Sequence, residues 1–428
     1  MDRKNIFQAV SEKGVKVVGE VMPSAYSVSL CVWVRSGSVY EDERTSGISH
    51  FIEHMVFKGT KRRTAKQIAQ EMDAVGGSVN AFTGKESTCF YTRTLSEDMP
   101  LALDLLLDMV CSPLLDDADI ENEKGVVCEE IHMSDDDPSD VVHEILCQGA
   151  YKGSPLADPI LGTEDTVRSF TSDDIRAYMD KHYRPEDIVI SASGNFSPDE
   201  LMKLVDEKFI VRENVNHDGY SMENIFRSGK NAVFASRDIE QAHICLAFPS
   251  EKFCGDMSPA ISIVNTVFGN ATSSRLFQHI REEKGLAYSV YSINSAYSDT
   301  GYWTIYAGTS EDSAEEVLRC MTDELIKLRR EGITDEEFRQ TKEQLRRGYI
   351  LGLENVSVHA SSIGKDVLTL GYVRYDDEIL DRLAKVTKDD VNAVIRRLVC
   401  NNVTLSVVAR KDNPALRKML DETDFEQA

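Results

Sequence analysis

His50-Phe51-Ile52-Glu53-His54 is the stretch from which the rest of this chain can be read. At 3.6 residues per turn, His50 and His54 lie about 40° apart around a helix and Glu53 about 60° to the other side of His50, so three polar side chains share one face. Two imidazoles on one face can hold a zinc ion, and the carboxylate between them is placed to take a proton from water at that ion. The order inverts the commoner H-E-x-x-H motif of metalloproteases. Nine histidines in 428 residues make such a pattern roughly a one-in-a-hundred accident, so a third donor is needed. Catalytic zinc keeps three protein ligands and an open position, whereas structural zinc takes four.

Ile120, Val127 and Ile131 recur at helical spacing between Asp116 and Met133 and mark a buried stripe. Glu123 and Glu130 fall inside that stripe, within about 80° of Ile120, whereas Glu129 points away. Burying a carboxylate without a partner is costly. The partner is either a core-edge Lys or Arg, or a metal site in which Glu130 is the third ligand and Glu123 orients a ligating histidine. Cys128 nearby reads as a small core residue.

With these residues in place the chain resembles the inverzincin family of pitrilysin, insulysin and the mitochondrial processing peptidase. His50-x-x-Glu53-His54 is followed by Glu130 seventy-six positions beyond His54. The phrase Gly47-Ile-Ser-His-Phe-Ile-Glu-His-Met-Val-Phe-Lys-Gly-Thr60 is similar to the catalytic subunit of the processing peptidase and its short bacterial relatives. So are Gly76-Gly-Ser-Val-Asn-Ala-Phe-Thr83 and Ser274-Arg-Leu-Phe-Gln-His-Ile-Arg-Glu-Glu-Lys-Gly-Leu-Ala-Tyr-Ser289. The resemblance runs over nearly the whole length.

Composition fits a folded globular protein of two domains: 428 residues exceed one ordinary core, and 42% hydrophobic residues suffice for two. The N-terminal residues lack the apolar core of a secretory signal, and no run is long enough to span a membrane. Nine scattered cysteines without a Cys-x-x-Cys pair indicate reduced thiols and a cytoplasmic setting. A net charge of −24 disfavours nucleic acid. It is suited either to attracting basic peptides or simply to solubility.

An internal repeat organises the chain. Phe90-Tyr-Thr-Arg-Thr-Leu-Ser-Glu-Asp98 returns as Ile305-Tyr-Ala-Gly-Thr-Ser-Glu-Asp312, and Phe170-Thr-Ser-Asp-Asp-Ile175 as Val386-Thr-Lys-Asp-Asp-Val391, at offsets of about 211 to 218. The expected organisation is a zinc-binding domain over 1–210, a linker over 211–230 and a homologous domain over 231–428. Alternating strand-like and helix-like runs predict an α+β fold, each half a mostly antiparallel sheet with helices on one face. The family resemblance implies that the two halves close on each other as a clamshell around a chamber. Aligning the halves puts Ile261 and Asn265 at the places of His50 and His54, and Gly348 at that of Glu130. The second half therefore has no equivalent metal donors, and its expected roles are substrate binding and closure.

In that half the resemblance carries over Arg281 as a substrate-backbone contact and Tyr288 as an oxyanion donor. Taken without the family, Arg281 reads as a surface helix residue and Tyr288 as a core aromatic. Ser78 to Lys85 reads as an edge strand to which an extended peptide could add, with Asn80 and Phe82 on one face and Ala81 and Thr83 on the other. The resemblance places substrate there too; a merely capped edge is the bland alternative. The whole implies an endopeptidase with one zinc per chain and peptides or unfolded segments as substrates, working as a single chain or a homodimer. The alternatives are a non-catalytic or partner-dependent subunit of the same fold, or a zinc carrier, in which Glu53 would have no purpose. The segment Phe268-Gly-Asn-Ala-Thr-Ser-Ser274 is too short to match the glycine-rich loop of the processing peptidase's partner subunit, so presequence processing is not implied.

Overall fold

A computed structural model describes residues 5–75, 77–212 and 224–427. Two compact units are present. The first contains strands β1 (Ile6–Val10), β2 (Lys16–Val21), β3 (Ser27–Val34), β4 (Ser78–Thr83), β5 (Thr88–Leu95) and β6 (Ile188–Gly194), in the sheet order β1-β2-β6-β3-β5-β4. The second contains β7 (Lys230–Ser236), β8 (Gln241–Ser250), β9 (Ala287–Ala296), β10 (Gly301–Ser310) and β11 (Val403–Ala409), ordered β7-β11-β8-β10-β9. One neighbouring pair in each sheet, β2–β6 and β11–β7, is parallel, and the rest are antiparallel. The order of the second sheet reproduces that of the first without β1, so the sequence repeat is also a repeat of topology.

Strand β3 shows why each sheet needs two layers. Its eight residues, SVSLCVWV, are buried from Val28 onward on both faces. Val28, Leu30, Val32 and Val34 point into one core and Cys31 and Trp33 into another, following the two-residue period of a strand. The larger core is closed by helix α1 (Ile48–Met55), by Met99–Cys111, by helix α2 (Asp117–Asp136) and by Ser172–His182. The expectation of helices on one face holds for this main layer but is incomplete, because the opposite face carries one helix contributed by the other half of the chain. Helix α3 (Pro138–Ala150) packs on β11, β8 and β7 of the second sheet. In that sheet the main layer includes helix α4 (Ser258–Phe268). Helix α5 (Val356–Leu370) packs on β6, β3 and β2 of the first sheet.

The two exchanged helices dock by the same means. Ser191 Oγ donates to the Ala360 carbonyl at 2.7 Å and Ser406 Oγ to that of Val142 at 2.8 Å. At the closest approach each helix has a glycine: a Cβ on Gly364 would sit 2.5 Å from Trp33 Nε1, and one on Gly149 2.5 Å from Val233 Cγ2. Both the serines and the glycines are 215 residues apart, inside the repeat offset. The compact units therefore cut across the repeat: the first takes Ile350–Glu378 and the second His132–Ala157. Of the linker expected at 211–230, residues 213–223 lie outside the described residues.

Candidate active site

Helix α1 is strongly two-faced. Ile48, Phe51, Ile52 and Met55 occupy one arc of about 100° and are fully buried, while His50, Glu53 and His54 occupy the opposite arc. The chain beyond the helix is held by a buried ionic cluster. Thr60 Oγ1 donates to Asp108 Oδ2 at 2.8 Å, and Arg63 reaches Asp108 and Asp104 at 2.7 and 2.6 Å. Helix α2 brings Glu123 and Glu130 to the same place.

The ligand atoms of His50, His54 and Glu130 lie within 4.8 Å of one another, and among the described residues no other group of three such donors does so. Glu130 Oε2 is 3.6 Å from His50 Nε2 and 3.3 Å from His54 Nε2. A tetrahedral ion with bonds of ~2.1 Å spaces its ligands about 3.4 Å apart, so both Glu130 distances suit a shared zinc. Burial, assisted by the neighbouring His54, pushes His50 down to about 4 and so favours the neutral imidazole that a metal requires.

Glu123 supports this cluster from behind. Its Oε1 accepts from His54 Nδ1 at 2.8 Å, which turns His54 Nε2 toward Glu130. Its Oε2 meets Lys58 Nζ at 2.5 Å. The two readings of Glu123, histidine partner and salt bridge, are both present. Burial works to raise the Glu123 carboxyl, but the bonds to His54 and Lys58 outweigh it and hold it low. Sequence reasoning missed Lys58, whose signal was its four-residue spacing from His54.

Glu53 is half-buried and accepts from Thr83 Oγ1 at Oε2, 2.5 Å away. Burial raises its pKa, with Glu130 adding to the rise against the Thr83 bond and the His54 charge. Thr83 therefore uses its hydroxyl on the carboxylate rather than presenting it freely. The remainder of β4 is the edge of its sheet, as expected. Phe82 is 43% exposed and rests edge-on against Trp33, whereas Ala81 turns to the main core and exposed Asn80 caps the Ala81 amide at 2.8 Å.

Arg281 and Tyr288 meet each other in the second unit. Arg281 stands on a short π-helix, Phe277–Glu283, and donates through Nη1 to the Tyr288 carbonyl at 2.7 Å. Its guanidinium lies 4.4 Å from the Tyr288 ring centre and 4.8 Å from that of Phe277. Tyr288 is 77% exposed, so it is no core aromatic. Asn265, at the place of His54 in the repeat, is instead a buried acceptor for Trp303 Nε1 and Ser292 Oγ.

Residues 16–164 match the family model described as insulinase, peptidase family M16, and residues 169–345 match the model described as the M16 inactive domain. An uncharacterised zinc protease of Bacillus subtilis is 40% identical over 94% of this chain and 98% of its own length. The chain belongs to peptidase family M16. A second M16 relative, an uncharacterised zinc protease of Streptomyces coelicolor, is 38% identical over 94% of this chain and 90% of that one. Two solved structures share the fold: a protease from Helicobacter pylori (TM-score 0.89, 20% identity, 94% of this chain and 99% of that one) and an M16 inactive-domain protein from Pseudomonas fluorescens (0.86, 18%, 95% and 99%). The region matched by the "inactive" model, 169–345, contains none of His50, His54 and Glu130. No helix among the described residues is long and apolar enough to cross a membrane, and none of the nine cysteines forms a disulfide.

Proposed function

We propose that this chain is a zinc metalloendopeptidase that hydrolyses peptides or unfolded segments. The observation that carries the reading is the convergence of His50 Nε2, His54 Nε2 and Glu130 Oε2 at zinc-ligand spacing with the Glu53 carboxylate on the same helix face. These three residues would hold one zinc per chain. Zinc, when bound, would supply Lewis acidity that lowers the pKa of water and polarises a peptide carbonyl. Glu53 takes the proton from water and passes it to the leaving amine nitrogen. Thr83 occupies Oε2, which leaves Oε1 for that proton. Substrate is held in extended form along the free edge of β4, by main-chain hydrogen bonds. By family resemblance, Arg281 contacts the substrate backbone and Tyr288 donates to the developing oxyanion. The charge of −24 points to basic peptides, and the setting is cytoplasmic. A single chain is taken as sufficient, alone or as a homodimer, because it retains every one of these residues.

The test is cleavage of basic and neutral quenched-fluorescence peptides by the purified chain beside Glu53→Gln. We expect activity in the parent, loss of at least ~100-fold in the variant with zinc content unchanged, and loss on chelation restored by zinc. Zinc-loaded parent that cleaves nothing would replace this reading with the non-catalytic or partner-dependent one.

A further inference from the structure

Helix α1 has only eight residues, and its N-cap, Gly47, has no side chain with which to satisfy the first amides. Glu41, six residues upstream, does so. Its Oε2 accepts from the Gly47 amide at 2.7 Å and its Oε1 from the Ser49 amide at 2.8 Å. The Ser49 amide is one residue from the ligand His50. On its side chain Ser49 is also held, by Tyr178 OH at 3.0 Å and Ser36 Oγ at 3.1 Å. The backbone entering the helix is locked as well. Gly47 has φ 88° and Gly162 φ 73°, and a Cβ on either would fall 2.6 Å or less from a carbonyl oxygen of the other's segment. Glycine is required on both sides of that contact.

We propose that Glu41 is a positioning residue for the metal site: by clamping the first turn of α1 with both carboxylate oxygens, it fixes the rotation of the helix and hence the places of His50 and His54. This deepens the zinc-peptidase reading and rests on it. A helix turns about 100° per residue, so a first turn free to shift carries both imidazoles away from Glu130. A carboxylate suits the task because it complements the partial positive charge of a helix N-terminus. The site keeps it at a cost. Burial pushes the Glu41 carboxyl up to about 7, against the bonds from Ser49 and Gly47 and the charge of Lys85.

The repeat supplies an internal control. Glu251 Oε2 accepts from the Met257 amide at 2.7 Å, also six residues on, at the start of α4. One glutamate bond to the start of the helix thus recurs in both halves, but only Glu41 holds two amides, and only its helix bears the proposed metal donors.

The experiment is zinc affinity by chelator competition at about pH 8, together with the visible spectrum of the cobalt-loaded protein, for the parent, Glu41→Ala, Glu41→Gln and Glu251→Ala. We expect zinc affinity to fall by roughly 10-fold or more in Glu41→Ala and by less in Glu41→Gln, with altered cobalt bands in both. Glu251→Ala should lose thermal stability yet bind zinc within about twofold of the parent. Folded Glu41 variants with parental affinity and spectrum would overturn the proposal, as would an equal loss in Glu251→Ala. The isosteric Glu41→Gln decides the matter if Glu41→Ala does not fold. A parent that binds no zinc at all would instead defeat the peptidase reading.

Discussion

At residue scale, the site depends on side chains that act on other side chains. Glu53 is the proton carrier in the proposed reaction, but Thr83 determines where its carboxylate points. Thr83→Val keeps the shape and removes the donor. We expect kcat to fall about 10-fold with zinc content unchanged, since a misplaced general base loses part of its usual contribution. A parental kcat would mean that helix packing alone orients Glu53. Periodicity along α1 and α2 was enough to pick out His50, Glu53, His54, Glu123 and Glu130. It could not identify the Thr83–Glu53 bond, which joins a helix to a strand thirty residues later.

At the scale of elements, the exchanged helix α5 is docked by shape and by charge. Gly364→Ala would drive a methyl group to within 2.4 Å of Ser191 Oγ, for an expected destabilisation of about 1–3 kcal/mol by chemical denaturation. By contrast Gly348, at the repeat position of Glu130, has open space around it in the helix Asp335–Gly352, so Gly348→Ala should stabilise by about 0.5–1 kcal/mol. The same sign for both would refute the packing argument. The charge lies in His359, whose Nδ1 is 2.6 Å from Glu20 Oε2 and whose Nε2 is 3.0 Å from the Leu353 carbonyl. With acceptors at both ring nitrogens the imidazolium is favoured. Burial works against it, but the Glu20 partner prevails and the pKa is raised. A raised histidine stabilises fully below its unfolded pKa of about 6.5, and that contribution is lost as pH rises through the folded value. Glu20→Gln should therefore cost most at about pH 6, with the Tm gap to the parent narrowing toward about pH 9. A gap independent of pH would exclude this ion pair as its source.

For the whole molecule, exchange of α3 and α5 makes each sheet depend on both halves of the sequence. A fragment 5–212 would leave Cys31, Trp33 and Val189 without their covering helix, and a fragment 224–427 would leave Cys245, Ala247 and Val408 so. Neither fragment should show a cooperative thermal transition alone, and co-expression should restore one. A cooperative transition in a single fragment would show that the exchange is dispensable. The sequence by itself determined which residues share a helix face, that the fold is repeated and that the second half lacks metal donors, because helix and strand periods are set by neighbours a few residues apart. Tertiary structure alone decided that Glu123 serves both His54 and Lys58, that Thr83 serves Glu53, that Glu41 clamps α1, and that α3 and α5 change places. These are meetings between faces far apart in the chain. In the case of the exchanged helices, two repeat-related segments carry the same serine and glycine contacts, so local pattern cannot tell one sheet from the other.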